Sequence, residues 1–506
     1  ESPERVFWVG AMSVENACNV KLVSSLSSER AQSVMAEGGI NAALNTKDEN
    51  DSPEEHFTDT IKAACGLADP NAVWGMTQAA PELVHWLLKL GVKFNMSGYD
   101  DVDLRNFGGQ KKKRTAFAQS DTGKQIMTAM IDAVRRKEAS GMVERFSHHS
   151  FLTLRLCGNI CCGCVIRDEY SQETVELPGD AVIVATGGMH GLFGNTTGSL
   201  SNTGEVTAEL FRLGVPLANG EMIQYHPTTV KCGGKRMLIS EAARGEGGRL
   251  FAMKDGKQWY FMEEKYPELG NLMPRDITAR EIWKVSHESE VFLDMTEISE
   301  EIISNKLSGL ADDCMTYLHK DIRKEPVSVL PGIHYFMGGI LVDEQHRTPI
   351  QNLYAAGECC AQYHGANRLG GNSLLGALYG GRVAAKSACE QADVVDLSCA
   401  TQIDFPPTSQ ISEIKQLNKV MQETMGVVRN ENTLLNGIQT VQALTGNLPL
   451  LGMAVLKSAL ARKESRGAHW REDYPKSNDD DYLKTTVARF DGKQIQISFV
   501  PVPERR

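Results

Sequence analysis

No stretch of this chain approaches the roughly 18 consecutive apolar residues that a membrane-crossing helix requires, so no direct membrane span is expected. Long blocks of Lys and Arg are missing too. With 53 Lys+Arg against 64 Asp+Glu the formal net charge is −11, which argues against nucleic acid as a partner. The one basic cluster, Lys111-Lys112-Lys113-Arg114, reads as a solvated turn as readily as anything functional. The start, Glu1-Ser2-Pro3-Glu4-Arg5, carries no secretory signal pattern. Twelve cysteines follow no disulfide framework, which points to a reducing compartment. Neither Cys161-Cys162-Gly163-Cys164 nor Cys359-Cys360 has a second ligand pair at zinc or iron–sulfur spacing. No metal is expected, and these thiols read as buried structural cysteines. At 42% hydrophobic and 23% charged the composition excludes a disordered or collagen-like chain. Internal repeats are absent, and the length of 506 residues suggests about three domains.

What is present is a series of buried strands that end in glycine. Val6–Val9 before Gly10 is one, and Asn19–Val23 reads as the next strand. A parallel crossover needs about a dozen residues or more. The interval from Gly10 to Cys18 is therefore too short for a strand–helix–strand unit. Either the two strands pair differently, or residues that belong between them are absent from this chain, and the second reading is the expectation. Ala181–Ala185 before Thr186-Gly187-Gly188 and Asn352–Ala356 before Gly357-Glu358 repeat the strand-to-glycine pattern. A Gly-rich turn stands at Ala36–Ala43, and helical patterns cover 53–64, 71–90 and 122–139. Strand-like stretches run from Val143 to Val175, with the cysteine group on one of them. Gly370–Ala377 reads as a loop opening a helix. A Pro-bearing linker at Asp404–Pro407 leads into helical pattern up to about Lys463, and the tail from Gly467 is polar, with Asn478–Asp481 solvated. Glycine turns at the carboxyl ends of buried strands point together to a dinucleotide cofactor at the edge of an α/β sheet.

Five segments concentrate cationic and hydrogen-bonding groups that a core does not need: Gln224–Thr228, Ile239–Gly248, Pro274–Ile277, His334–Gly339 and His364–Gly370. Two His, one Ser and two Arg in one pocket suit a small dicarboxylate, because Arg grips carboxylate in a bidentate fork and imidazole adds single donors.

On these strings the chain resembles the flavoprotein subunits of the succinate dehydrogenase/fumarate reductase family, which includes L-aspartate oxidase and soluble fumarate reductases. The resemblance runs from about Ser33 to Pro475, and its most specific parts are His364-Gly365-Ala366-Asn367-Arg368-Leu369-Gly370 and Arg244-Gly245-Glu246-Gly247-Gly248. Arg462–His469 is similar to the family's C-terminal signature. The fold implied is α/β: a Rossmann-like FAD-binding domain (1–218 and 331–395) with an inserted α+β capping domain (219–330) and a C-terminal helical domain and tail (396–506). The resemblance implies that Arg275 delivers a proton to the substrate, with Glu241 and Arg244 as its relay. It implies that His226, Ser240, His334 and Arg368 clamp two carboxylates, Ser240 standing where many members carry Thr. For FAD it implies Ser33, Glu37, Gly38, Gly39, Thr186, Gly187, Glu358, Ser373 and Leu374. Glu205 is a weaker match, since Val206 replaces the glycine that usually follows an Asp there.

One departure concerns the cofactor bond. Membrane-bound relatives attach FAD through a His in a Ser-His-Thr/Ser-Val-like string. Here the string is Arg30-Ala31-Gln32-Ser33-Val34. The Gln32 amide has no nucleophilic ring nitrogen, so noncovalent FAD is expected, and with it fumarate reduction rather than succinate oxidation. Phe107 in Phe107-Gly108-Gly109 stands where aspartate oxidases tend to carry a Glu, which favours a substrate without an ammonium group. L-Aspartate oxidation, reduction of a related enoate, and a noncatalytic electron conduit are the alternatives. An iron–sulfur subunit or another electron donor is the implied partner. Location is expected to be cytoplasmic, with partner subunits the route to a membrane's inner face.

Overall fold

Strand Glu4–Val6 lies parallel to Asn19–Ser24, which lies parallel to Val143–Ser147. The computed structural model describes residues 4–6, 19–27, 30–98, 101–393, 403, 405–407 and 409–506. The reading of Phe7–Gly10 as strand end and turn, and Asp404 of the linker, lie outside them. A parallel pair does form across the short interval, so the alternative of a different pairing does not hold. With the first strand described only to Val6, residues 7–18 remain for the connection, at the lower bound of a crossover.

Val182–Val184 and Leu353–Ala355 form a second parallel pair and are buried along their whole length. Unbroken apolar runs suit strands covered on both faces. Each is followed by a glycine in the left-handed region, Gly187 (φ 71°) and Gly357 (φ 79°), where a side chain would be strained. The chain therefore turns away and leaves the strand ends facing open space. The helix Asn372–Gln391 covers the pair, its Ala384, Ala385 and Ala388 sharing a core with Ile183 and Tyr354. Pro53–Ala63 starts on the Ser52 hydroxyl, which accepts from Glu55 N, and Pro70–Leu90 starts on the Asp69 carboxylate and stops at Gly91 (φ 101°). These helices, with Thr122–Ala139 and Asn372–Gln391, match the 3.6-residue pattern. Met76, Leu83, Leu87, Ile126, Leu375 and Leu378 share one core.

The inserted segment builds an antiparallel sheet from Lys235–Leu238, Ile223–Cys232 and Leu330–Phe336, and a four-stranded one around Arg249–Lys254 and Val291–Asp294. Its core reaches Phe107 of the first part. Three helices follow, Ile411–Thr424, Glu431–Val441 and Asn447–Ala461, packed on Leu192, Phe193 and Phe211.

The tail departs from expectation. Lys484–Phe490 and Ile495–Pro501 form a hairpin whose first strand pairs with Leu217–Ala218. Thr486, Val487 and Ala488 are buried in succession, so this strand is covered on both faces there. The basic cluster also splits. Arg114 is fully buried, with Nη2 2.7 Å from Asp51 and Nη1 2.9 Å from Asp59, while Lys111 is exposed. Cys161, Cys162 and Cys164 are buried on Ile160–Asp168, and Cys359 and Cys360 are buried as well. Cys157 is disulfide-bonded. Among the described residues no helix is long and apolar enough to cross a membrane, and no group of three His, Cys, Asp or Glu is placed to hold a metal.

Candidate functional site

One cavity of about 1060 Å³ runs past the glycine-ended strands, and every expected site residue except Arg244 lines it. The volume is at the upper end of the roughly 300–1,000 Å³ usual for one small ligand, enough for a dinucleotide beside a substrate.

The cofactor side is built from turns and helix starts. Ser33 lies in the short helix Gln32–Met35. Glu37, Gly38 and Gly39 follow it, and a Cβ on Gly39 would stand 2.5 Å from the Ala116 carbonyl oxygen. Thr186 and Gly187 cross behind Val184, with Asn202 tight against Gly187. Glu205 opens the helix Glu205–Arg212. Glu358 Oε1 accepts from Phe336 N at 3.0 Å. Ser373 and Leu374 stand in the first turn of Asn372–Gln391, an end whose free N–H groups suit electron-rich oxygen. Glu37 Oε2 is buried without a hydrogen-bond partner, and burial pushes that carboxyl up to about 8. Glycines packed to contact, two helix starts facing one cleft and an unsatisfied carboxyl fit a bound dinucleotide such as FAD. Gln32 lines the same cavity.

The other side of the cavity is cationic, with buried side chains. His226 follows Gln224 on Ile223–Cys232, whose ladder to Leu330–Phe336 shifts register between Gln224 and Tyr225 and again between His226 and Thr229. Pro227, which cannot donate to the ladder, sits in the second irregularity, and such bulges re-aim a side chain. His226 thereby meets His334 of the neighbouring strand edge to face, ring centroids 5.1 Å apart. The Thr197 hydroxyl lies 2.8 Å from His334 Nδ1. Ser240 caps the short helix Glu241–Gly245, its Oγ accepting from Ala242 N at 3.4 Å. Burial, reinforced by surrounding cations, holds both imidazoles well below 6.5, so they are neutral.

Arg275 opens the helix Arg275–Val285. Its Nε and Nη2 donate to Glu241 Oε2 at 2.9 and 2.6 Å, and its Nη1 donates to Gln224 Oε1 at 3.1 Å. The other oxygen, Glu241 Oε1, accepts from Arg244 Nη2 at 3.0 Å. Arg244 stands one layer behind the cavity, its Nη1 donating to the Asn271 carbonyl at 2.6 Å. Burial raises the Glu241 pKa, but Arg275 and Arg244 together outweigh it and hold the carboxylate below its usual range. A cation, an anion and a second cation are thus joined in line.

Arg368 differs from both. It is 4% exposed, its Nε has no hydrogen-bond partner, and no carboxylate among the described residues forms an ion pair with it. Its guanidinium lies over the Tyr335 ring, 4.3 Å from the centroid. Burial, and then Arg275, pull its pKa down to about 9. A buried cation beside a cavity and short of a counter-ion is a place for an anionic ligand.

Three contributors were not singled out from the sequence. Gln224 joins the two arginine groups: besides accepting from Arg275, its Nε2 donates to Asn367 Oδ1 at 2.9 Å and to the Arg368 carbonyl at 2.8 Å. The strand alternation that places His226 inward would have flagged it two residues earlier. Tyr335 adjoins His334 in sequence, but only the fold sets its ring under Arg368. Thr197 is 137 residues from His334, and nothing local announces it. Phe107 is 1% exposed and lines the cavity, packed against Gly38 and Gly370.

Residues 10–374 match the model of the FAD binding domain, and residues 444–505 that of the fumarate reductase flavoprotein C-term. The succinate dehydrogenase flavoprotein subunit of Bacillus subtilis is 37% identical, over 97% of this chain and 94% of its own. That alignment spans 556 residues, so the relative carries segments with no counterpart here. The 8-methylmenaquinol:fumarate reductase flavoprotein subunit of Wolinella succinogenes is 31% identical over 98% of this chain and 90% of its own. Among solved structures, a variant of the FrdA chain of E. coli quinol fumarate reductase superposes with a TM-score of 0.89 at 25% identity, over 99% of this chain and 97% of that one. Mycobacterium smegmatis Sdh1 gives 0.84 at 28%, over 100% and 95%. The expected architecture of FAD-binding, capping and C-terminal helical parts is shown by these matches.

Proposed function

Because this chain belongs to the succinate dehydrogenase/fumarate reductase flavoprotein family, FAD-dependent oxidoreductases that act on a CH–CH bond, we propose that it reduces fumarate to succinate with noncovalent FAD. The observation that carries this reading is Arg368, a buried guanidinium facing the cavity without a carboxylate of its own. One carboxylate of fumarate supplies the missing charge in a bidentate fork. Neutral His334, its Nδ1 beside the Thr197 hydroxyl, and the Ser240 hydroxyl hold the second carboxylate as hydrogen-bond donors, with the His226 ring packed against His334.

Bound FAD would supply the hydride for the olefinic bond. Ser33, Glu37–Gly39, Thr186, Gly187, Glu205, Glu358, Ser373 and Leu374 hold the cofactor against the substrate. This chain supplies the proton. Arg275 gives one to the other carbon, and a guanidinium is so weak an acid that it acts only if refilled at once. Glu241, bonded to Arg275 through one oxygen and to Arg244 through the other, takes a replacement proton from Arg244 and passes it to Arg275, and solvent then reprotonates Arg244. Burial of these side chains strengthens each electrostatic contact, and fixing both carboxylates converts binding energy into alignment.

Gln32 in place of a linking histidine supports dissociable FAD and the reductive direction. A second reading is favoured by one finding: the relative at 37% identity is named a succinate dehydrogenase subunit, and the same residues serve the reverse reaction. Phe107 leaves no carboxylate at its position for the ammonium of L-aspartate. Relatives are named as subunits, so an iron–sulfur subunit is the electron partner that fits best. Fumarate reduction by reduced viologen, set beside succinate- and L-aspartate-dependent dye reduction in the same FAD-loaded protein, separates the readings. Faster fumarate turnover supports the proposal, and dominant succinate or aspartate turnover replaces it.

A further inference from the structure

A buried tyrosine–histidine pair lies behind the substrate wall and takes no part in that chemistry. Tyr363 is 4% exposed and His346 0%. His346 Nδ1 lies 2.7 Å from the Ala355 carbonyl oxygen, which can only accept and so fixes the ring proton on Nδ1. The lone pair is therefore on Nε2, and Nε2 accepts the hydroxyl proton of Tyr363 from an oxygen 2.5 Å away. Burial holds the His346 pKa down at about 4 and pushes the Tyr363 phenol well up, so both are neutral at rest.

The pair sits in a row of rings. The Tyr363 centroid is 6.1 Å from that of His364, and His364 is 5.3 Å from Tyr335. Tyr335 lines the cavity beneath Arg368. On the other side Tyr363 is 6.1 Å from Tyr379, which is half-buried on Asn372–Gln391. Aromatic contact thus continues from the cavity wall toward the surface, with a base hydrogen-bonded to the middle phenol. A phenol yields an electron readily only when its proton has a place to go, and here the proton moves along a bond already made. A hydrogen bond that merely satisfied a buried hydroxyl would need no such row.

We propose that Tyr363 and His346 form a one-electron outlet that draws oxidising equivalents out of the cavity. This rests on the flavin reading above, since the oxidant is superoxide, formed when dioxygen takes one electron from reduced cofactor. Superoxide gains one electron, passed from Tyr363 through Tyr335, and two protons from solvent, and becomes hydrogen peroxide. Tyr363 loses that electron and gives its phenolic proton to His346 Nε2, leaving a neutral tyrosyl radical beside an imidazolium. A thiol or ascorbate in solution then returns one electron through Tyr379 while the proton returns from His346, and the pair is restored.

The test is freeze-quench electron paramagnetic resonance of the FAD-loaded protein, reduced without excess reductant and mixed with oxygenated buffer. Tyrosine deuterated on the ring assigns the signal. Flavin absorbance, recorded on the same samples, reports cofactor binding by itself, so a failure of the flavin reading is seen apart from a failure of the outlet. The expected result is a tyrosyl signal in the unaltered protein that Tyr363→Phe abolishes. His346→Gln, which keeps the phenol and removes the base, is expected to lose the signal too. Flavin-loaded protein without a tyrosyl signal, or a signal undiminished in either variant, overturns the proposal.

Discussion

Arg275 and Glu241 are held together by two hydrogen bonds, 2.6 and 2.9 Å long, to a single carboxylate oxygen, with side chains 7% and 1% exposed. The second oxygen is left free for Arg244. That division places a carboxylate within reach of two guanidinium groups at once, which a proton relay requires and a simple ion pair does not.

Glu241→Gln should therefore do more than weaken a contact. It keeps the volume but removes the only charge between two buried cations, and breaking a buried pair in this way costs about 3–5 kcal/mol. The Glu241 pKa is lower folded than unfolded. Its stabilisation is complete above the ordinary carboxylate range and is lost as pH falls through the folded value. Denaturant midpoints should thus separate the two proteins widely at neutral pH and converge in acid. A gap that stayed constant with pH would contradict this assignment.

Removing Arg368 should act in the opposite sense on stability. With no ion-paired carboxylate among the described residues, Arg368→Met removes an unpaired buried charge, and the melting temperature should hold or rise. Fumarate binding should suffer. Charged hydrogen bonds contribute about 1.5–3 kcal/mol, so KM or Kd should rise about 10- to 150-fold. Thermal melts and substrate titrations of the same preparations check both halves.

Burial depresses the imidazoles of His56, His226, His334, His346, His364 and His469. The unfolded chain takes up protons near the ordinary value of about 6.5 that these folded rings refuse. Stability should be at its fullest above that pH and decline as pH falls through it. Replacing His226 and His334 together with Gln should flatten the decline. A slope unchanged in the double variant would show that these rings are not neutral when folded.

The cofactor should leave with acid. Trichloroacetic acid precipitation of FAD-loaded protein is expected to put the flavin in the supernatant, because Gln32 offers no ring nitrogen for a bond. Flavin fluorescence on the denatured polypeptide would contradict that.

Much of this site could be read in the sequence, for a physical reason. Gly39, Gly187 and Gly357 are needed where backbone must turn or pack without a side chain, and charged residues such as Glu241, Arg275 and Arg368 are too costly to bury without purpose. Both kinds of residue stand out in a string of letters. What stayed hidden depends on distant partners. Arg114 looked like part of a solvated turn because Asp51 and Asp59, 63 and 55 positions earlier, are met only in the fold. The terminal hairpin reads as polar because what buries Val487 and Ala488 is a distant segment, Leu217–Ala218, met only in the fold. Thr197 and Tyr335 acquire their places from sheet pairing and loop closure, which no local pattern records.

The central claim is that Arg275 gives the proton. Anaerobic oxidation of reduced viologen by FAD-loaded protein, with fumarate as acceptor, measures it most directly when Arg275→Lys is run beside the unaltered chain. General acid catalysis accounts for roughly 10²–10⁴-fold in rate. The account predicts a fall of that size in kcat, with flavin still bound and KM for fumarate little changed. Turnover within a few-fold of the unaltered protein would contradict it and move the proton to another group.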